Sequence, residues 1–221
     1  STGGGGSMPI IIATEPFVSR LPERVLRCAF GLFLFGLGIT FFIRAEVGLA
    51  PWDVFHTGVS DKTDIAVGTV IIIVGVLLLL LWIPLRQRPG VGTIMNAVEI
   101  GLVVNLTKPI VGVPGNLVGR VALMLAGLLI VGVGSAIYIG SGLGAGPRDG
   151  LMLGLSERGI SIRLARTVIE LTVLVTGIVL GGPIGLGTVA FALGIGPIVQ
   201  VLLPRFDMRT RTDPGLPGSV H

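Results

Sequence analysis

The chain carries one sequence unit twice, at a spacing of about 96 positions. In the first copy Gly36-Leu-Gly38 precedes Gly48-Leu-Ala-Pro-Trp-Asp53. In the second copy Gly132-Val-Gly134 precedes Gly144-Ala-Gly-Pro-Arg-Asp149, and the match later resumes one residue out of step at Gly92 and Gly187. An internal repeat in a membrane protein predicts a transport or conduction site at the interface between the two halves.

The composition indicates a membrane protein. Hydrophobic residues make up 51% of the chain, and the mean hydropathy is +0.93. Apolar runs long enough to span a bilayer recur along the sequence, whereas a soluble helical bundle would contain far fewer. The predicted fold is therefore an all-α integral membrane protein with six transmembrane helices, at residues 25–43, 65–85, 91–107, 121–140, 162–180 and 186–203.

Both ends of the chain differ in composition from the apolar region. Residues 1–7 (STGGGGS) have the composition of an appended flexible linker, and residues 8–24 are expected to form a cytoplasmic N-terminal segment. The first repeat then covers residues 25–108 and the second covers residues 109–204. The polar, proline-containing segment 205–221 is expected to be a disordered cytoplasmic tail.

Several function classes find no support in the residues. The single cysteine, Cys28, excludes an intrachain disulfide, and only two histidines are present, so neither a metal site nor a cofactor is expected. No nucleophile elbow or phosphate-binding loop occurs, and an enzyme is not expected. The sequence pI of about 10.2 is explained by cationic anchors at a membrane surface, so no nucleic-acid partner is expected.

The distribution of cationic residues predicts the orientation. Six spans with a cytoplasmic N-terminus put four cations outside (Arg44, Lys62, Lys108, Arg120) and twelve inside (Arg20, Arg24, Arg27, Arg86, Arg88, Arg148, Arg158, Arg163, Arg166, Arg205, Arg209, Arg211). This bias places both termini in the cytoplasm of a bacterial inner-membrane protein. Because each repeat holds three spans, an odd number, the second copy must be inverted relative to the first. The prediction is a 3+3 inverted repeat.

Each repeat also contains a short helical segment, at residues 51–60 and 147–156. Each begins with proline, which is favoured in the first helical turn, and each follows a glycine-containing stretch that can run extended. A helix of ten residues is about 15 Å long, which is half of a bilayer core. The two segments are either re-entrant half-helices, whose N-termini meet near the midplane, or amphipathic helices that lie at the interface.

The residues around the two prolines are the main candidates for the site. Asp53 and Asp149 occupy the first turns, where a helix dipole favours a carboxylate, although each could equally be a simple helix cap. Trp52 and Arg148 occupy equivalent positions, so the two halves are chemically asymmetric there. His56 is a further candidate for the site, although it fits a helix-surface residue better than a proton relay.

Two further acidic residues fall inside predicted spans, where carboxylates are costly and suggest function. Glu99 has Asn96 one turn earlier in the third span and lacks a basic neighbour. Glu170 lies in the fifth span, where an ion pair with Arg166 or Arg163 is the structural alternative. The many glycines within the spans are expected to allow close helix contacts.

The paired motifs GLAPWD and GAGPRDG, with SIRLARTVIELTV and GTVAFALGIGPIVQ, resemble the YczE/YitT-type group of bacterial integral membrane proteins. The resemblance extends from about Arg24 to Leu203. It implies a polytopic membrane protein of about six spans with a short motif-bearing loop in each half. It implies no activity, and no functional residue is transferred from it.

The expected function is secondary transport of a small polar solute, with coupling to protons or cations left open. Asp53 and Asp149 would lie at the facing half-helix ends, and Glu99 and Glu170 would be proton or cation partners, with alternating access from rocking of the repeats. An aquaporin-like channel with two re-entrant half-helices is an alternative. A third is a membrane scaffold or regulator that transports nothing. The expected partners are the lipid bilayer and a small molecule or ion, and homo-oligomerisation is left open.

Overall fold

A computed structural model describes residues 20–208, which form eight α-helices and no strand. The expectations for residues 1–19 and for the tail from 209 onward concern positions outside this range. The helices are α1 (Leu21–Ala45), α2 (Pro51–Thr63), α3 (Val67–Leu85), α4 (Val91–Thr107), α5 (Leu117–Gly140), α6 (Pro147–Ser156), α7 (Ile162–Val179) and α8 (Leu186–Phe206).

The helix boundaries follow from local sequence signals. The short helices α2 and α6 both begin at proline, whose fixed φ suits the first turn. The Asn116 side chain accepts a hydrogen bond from the Gly119 amide and so caps α5, and Ser161 caps α7 in the same way. Helix α2 continues three residues past the predicted end at Ser60, whereas α6 ends at Ser156.

Helices α1 and α5 pack against each other at the centre of the molecule in antiparallel directions. Four glycines make the contact, and a Cβ added to Gly31 would lie 2.8 Å from the Gly134 carbonyl oxygen. A Cβ added to Gly38 would lie 2.9 Å from the Gly127 carbonyl oxygen. Gly31 and Gly38 correspond in the repeat to Gly127 and Gly134. Gly31 thus contacts the counterpart of Gly38, and Gly38 contacts the counterpart of Gly31. The expected packing role of these glycines is confirmed.

Helix α4 packs beside α1, and α8 packs beside α5. The hydroxyl groups of Thr40 and Thr107 lie 2.7 Å apart near the C-terminal ends of α1 and α4. At the C-terminal ends of α5 and α8, the Met208 amide donates to the Gly140 carbonyl. Helices α1 and α4 therefore run in one direction, and α5 and α8 run in the opposite direction.

The short helices pack across the two halves of the chain. Helix α2 of the first half packs on α7 of the second, and α6 of the second half packs on α3 of the first. Two backbone hydrogen bonds show the same exchange, since the Gly187 amide donates to the Val47 carbonyl and the Gly92 amide donates to the Leu143 carbonyl. The halves are thus interlocked at both loops that lead into the short helices.

The loops before α2 and α6 both turn through a glycine with positive φ. Gly48 has a φ of 107° and Gly144 has a φ of 132°, values that favour glycine. A Cβ on Gly48 would also lie 2.5 Å from the Gly185 amide nitrogen. Both loops therefore require glycine, which lets the chain turn back into the molecule before each short helix begins.

Among residues 20–208, four helices are long and apolar enough to cross a membrane, namely α1, α3, α5 and α8. Helix α4 is apolar but shorter, at 17 residues. Helix α7 is 18 residues long and carries Arg163, Arg166 and Glu170, which lowers its apolar character. The helical membrane fold is thus observed, whereas the six-span arrangement and the inverted repeat stay predictions.

Candidate functional site

A cavity of about 630 Å³ lies between the two halves of the molecule. All eight helices contribute to its lining, and equivalent helices contribute equivalent turns. Asn96, Ala97 and Ile100 of α4 line it on one side. The residues 95 positions later, Phe191, Ala192 and Ile195 of α8, line it on the other. The cavity therefore lies at the interface between the repeats.

The first turns of both short helices line this cavity, through Pro51 to Asp53 of α2 and Pro147 to Asp149 of α6. The N-cap residues are Ala50 and Gly146, and neither helix has a side-chain cap. Asp53 and Asp149 occupy the third helical position, so neither is the N-cap residue. First-turn backbone N–H groups in both helices lack a partner within their own helix, and the positive ends of two helix dipoles meet at one cavity.

At the start of α2, Asp53 and His56 form a buried polar pair. Their side chains are both 9% exposed, and the His56 Nδ1 atom lies 3.4 Å from the Asp53 Oδ1 atom. The His56 ring also contacts Trp52 and Phe55. The interpretation of His56 as a helix-surface residue is wrong, because the face of α2 that carries it turns into the cavity.

At the start of α6, Arg148 lies over an aromatic ring. Its guanidinium carbon is 5.9 Å from the centre of the Phe35 ring, a distance at which a cation is attracted to the face of a ring. Arg148 lines the cavity and is half-buried. The asymmetry predicted from the sequence therefore places an indole on one helix and a guanidinium on the other, at equivalent positions.

Three polar side chains converge on Gly146, the residue before α6. A Cβ at Gly146 would lie 3.1 Å from Asp149 Oδ2, 3.4 Å from the Tyr138 hydroxyl and 3.6 Å from Asn96 Nδ2. The Tyr138 hydroxyl donates to the Gly144 carbonyl at 3.2 Å. Helices α4, α5 and α6 thus bring an amide, a phenol and a carboxylate together at one point of the cavity.

Trp82 of α3 fixes the position of α6. Its indole N–H donates to the Pro147 carbonyl at 2.8 Å, and the side chain is buried. The ring lies so close to Gly150 that an added Cβ would meet it at 1.9 Å. At the other end of α6, the Arg158 guanidinium donates to the carbonyl of Leu85 at the end of α3.

Of the two acidic residues predicted inside spans, one lines the cavity and the other does not. Glu170 lines the cavity together with Arg166, but within residues 20–208 it forms no ion pair with Arg166 or Arg163. Glu99 does not line the cavity. It lies three residues after Asn96, about 60° further around α4, and near Cys28 of α1. Asn96 thus reaches the candidate site and Glu99 does not.

Helices α3 and α4 are closed tightly against each other at one end of the molecule. A Cβ at Gly101 would lie 2.2 Å from the Gly68 carbonyl oxygen, which indicates direct backbone contact. Asn105 bridges the pair, since its carbonyl oxygen accepts from the Gly68 amide at 3.0 Å and its Nδ2 group donates to Thr69 at 2.9 Å.

Helices α7 and α8, the counterparts of α3 and α4 in the repeat, are not packed closely against each other. Among the described residues, α7 packs on α2 and α6 but makes no comparable contact along α8. Gly196, the counterpart of Gly101, has no atom within 4 Å of an added Cβ. Gly196 and Gln200, the counterpart of Asn105, line the cavity. The cavity therefore extends into the gap between α7 and α8.

The closed pair and the gap lie at opposite ends of the molecule. The closed pair meets at Asn105, near the C-terminal ends of α1 and α4. The gap lies toward the C-terminal ends of α5 and α8, and α5 is antiparallel to α1. The ion pair between Arg120, near the start of α5, and Glu46, just after α1, confirms this direction.

Sequence reasoning did not find Tyr138, Phe35, Phe191 or Gln200 as lining residues. Tyr138 is the only tyrosine of the chain, and a lone aromatic in an apolar span has the same pattern as a core residue. Within residues 20–208 no group of three metal-binding side chains occurs. The site can hold a solute by hydrogen bonds, charges of both signs and apolar contact.

The fold and the cavity together define an α-helical, multi-pass membrane protein with a cavity lined by both apolar and charged residues. The chain belongs to a family of unknown function, DUF6198, whose model matches residues 22–204.

Relatives cover most of the chain. The uncharacterized membrane protein YczE of Bacillus subtilis is 33% identical over 189 residues, which are 83% of this chain and 88% of YczE. A protein of Haemophilus influenzae is 38% identical over 175 residues, which are 79% of this chain and 80% of its own length. The match to YczE confirms the predicted YczE-type family. No solved structure matches the chain.

Proposed function

We propose that the protein is a secondary transporter that binds a small polar solute in the cavity between two inverted repeats. In this proposal α2 and α6 are re-entrant half-helices whose N-termini meet at the solute. Six helices span the bacterial inner membrane, with both termini in the cytoplasm. The gap between α7 and α8 then opens to the cytoplasm, because the predicted orientation places the start of α7 and the end of α8 there.

The observation that carries the proposal is the difference between two equivalent helix pairs. Helices α3 and α4 close one end through Gly68, Gly101 and Asn105, whereas α7 and α8 leave the other end open at Gly196. If the halves are related by inversion, exchanging their conformations opens the first end and closes the second. That exchange is alternating access, the mode of action of transporters built from inverted repeats.

A channel is a weaker candidate for two reasons. A conducting pore needs an open path at both ends, whereas α3 and α4 are in backbone contact at one end, where none of Gly68, Gly101 and Asn105 lines the cavity. The lining also carries Asp53, Asp149 and Glu170, which do not suit a pore for neutral solutes.

Matched cysteine pairs test alternating access. In a Cys28→Ala background, one variant carries Thr69→Cys and Asn105→Cys, whose native side chains are hydrogen-bonded at 2.9 Å. The second carries Leu164→Cys and Gln200→Cys, the same positions 95 residues later. We expect both pairs to form disulfides on mild oxidation in proteoliposomes, because alternating access would populate both states.

A variant with all four cysteines provides the decisive measurement. Alternating access predicts one bridge or the other in each molecule, and never both, as counted by mass spectrometry of the intact chain. A channel predicts that the first pair always bridges and the second never does. If both bridges form together in most molecules, the transporter proposal fails.

A further inference from the structure

We infer that the solute of this cavity is a small zwitterion with an apolar body, such as an amino acid; this inference rests on the transporter proposal. Three features of the cavity support this solute: hydrogen-bonding groups without partners, the balance of the charges and the apolar walls.

Unpartnered donors lie at equivalent positions of the two short helices. Trp52 lines the cavity and is 6% exposed, and its buried indole N–H has no acceptor among the described residues. Arg148 contacts the Phe35 ring but forms no ion pair or hydrogen bond within residues 20–208. Indole and guanidinium groups are donors only.

The backbone adds further donors at the same place. Neither α2 nor α6 has a side-chain cap, so the first-turn N–H groups beside Trp52 and Arg148 also need acceptors. A carboxylate supplies two acceptor oxygens and the negative charge that helix N-termini favour. The donors therefore select a solute with a carboxylate group.

Unpartnered carboxylates lie in the same cavity. Asp149 and Glu170 are half-buried lining residues, and neither forms an ion pair with another residue in the range 20–208. Asp53 differs, because it is paired with His56. An ammonium group of the solute can pair with Asp149 or Glu170 and would relieve the cost of a half-buried charge.

The charge balance of the lining disfavours a solute with a net charge. Three carboxylates (Asp53, Asp149, Glu170) face two guanidinium groups (Arg148, Arg166), and each helix N-terminus adds about half a positive charge. A pure anion would be repelled by the carboxylates, and a pure cation by the guanidinium groups and helix ends. A zwitterion is attracted to both sets.

The walls of the cavity indicate an apolar body. Phe35, Ile71, Phe191 and Ile195 contribute apolar side chains to the lining. The volume of about 630 Å³ is within the range of pockets that enclose small organic molecules, and it exceeds what an ammonium and a carboxylate alone would fill. Aliphatic or aromatic amino acids meet all three requirements.

The test measures thermal unfolding of the purified full chain with each of the twenty L-amino acids, followed by tryptophan fluorescence. A solute that binds only the folded state raises the midpoint. The best amino acid is then compared with its own decarboxylated amine and its own deaminated acid. We expect both analogues to bind at least about tenfold more weakly, because each leaves one set of charged groups unpaired.

Two variants link the carboxylate to its donors. Trp52→Phe keeps an aromatic ring and removes the N–H, and Arg148→Gln removes the charge. We expect each to weaken binding of the amino acid about tenfold. Binding of the amine, which has no carboxylate, should stay nearly unchanged in Trp52→Phe and should become no weaker in Arg148→Gln, because loss of the guanidinium removes a charge that repels a cation. The amine serves as the matched control, and Trp82 remains as the fluorescent reporter in Trp52→Phe.

Three results would overturn the inference: no amino acid raises the midpoint, either analogue binds as well as its parent, or Trp52→Phe and Arg148→Gln leave amino-acid binding unchanged. The cysteine bridges report on alternating access without any solute. Failure of the zwitterion therefore leaves the transporter proposal standing, and failure of the bridges is seen separately.

Discussion

Gly150 shows how strictly a single position controls the placement of α6. A Cβ at this position would meet the Trp82 ring at 1.9 Å, and the same ring holds the Pro147 carbonyl through its N–H. The ring cannot move away without breaking that hydrogen bond. Packing and hydrogen bonding at Trp82 are thus coupled.

We therefore predict that Gly150→Ala lowers the free energy of unfolding by about 2 kcal/mol, since overpacking a tight contact costs about 1–3 kcal/mol. For a chain of this size the melting midpoint should fall by about 4–8 °C. Differential scanning fluorimetry in detergent measures the change. Gly112→Ala is the matched control, because no atom lies within 4 Å of an added Cβ there. Equal midpoints for the two variants would contradict the contact.

Some residues that line the cavity can be predicted from the sequence, and others cannot. Asp53 and Asp149 were found because each follows a proline at the start of a short helix, and the repeat pairs them. His56 was misjudged because its burial depends on the path of α2, which only the tertiary fold sets. Asn96 and Glu99 lie on one side of α4 by spacing alone, yet the edge of the cavity falls between them.

The helix pair α3 and α4 and the equivalent pair α7 and α8 differ on one member only. Helices α4 and α8 share small residues, whereas α3 and α7 do not. Helices α4 and α8 both carry the small residues of the contact, as Ala97 and Gly101 match Ala192 and Gly196. On the other member of each pair, Gly68 and Gly75 of α3 are replaced by Arg163 and Glu170 of α7. These longer side chains favour the gap between α7 and α8 in this conformation, and closure of the pair in the other state would bring Arg163 and Glu170 into the contact.

This difference predicts that one substitution has unequal effects on stability at two equivalent glycines. Gly101→Ala places a Cβ 2.2 Å from the Gly68 carbonyl oxygen and should cost about 1–3 kcal/mol of stability. Gly196→Ala faces open space and should change stability by no more than about 0.5 kcal/mol. Thermal unfolding of the two variants side by side makes the comparison. Equal losses would show that α7 and α8 are as closed as α3 and α4.

The sequence predicted the helices and, as one of two alternatives, the meeting of the two short helices, because apolar runs, prolines and the repeat encode them locally. It did not predict that α3 and α4 are in close contact while α7 and α8 are apart, since the repeat makes the two pairs equivalent in sequence position. Tyr138 was missed because its counterpart 96 positions earlier, Phe42, is an ordinary core residue. A residue that lines the cavity and a residue in the core have the same sequence pattern. They differ only in whether the cavity or another helix faces them.

At the scale of the whole molecule, the ends of the two short helices point to opposite sides. Helix α2 ends near the start of α3, where the Ser60 hydroxyl donates to the Ile65 carbonyl. Just after the end of α6, Glu157 accepts from Gln87, beyond the end of α3. A single helix, α3, therefore separates the two ends by its full length of 19 residues.

We predict that cysteines replacing Lys62 and Glu157, each in a Cys28→Ala background, react with a membrane-impermeant maleimide from opposite sides of the membrane. Both positions are exposed. In sealed inner-membrane vesicles and in whole cells the labelling patterns should be reciprocal, with Lys62 reached from outside the cell and Glu157 from the cytoplasm. Labelling of both from one side would exclude the inverted repeat.

The contact between α1 and α5 has a mechanical consequence. Its four glycines bring the two backbones into direct contact, and the side chains of Leu34, Phe41 and Val131 pack against these glycines. If the two halves rock against each other as proposed, a small rotation at this backbone contact requires few long side chains to repack. The repeated glycines therefore place the expected pivot of this motion at the contact between α1 and α5.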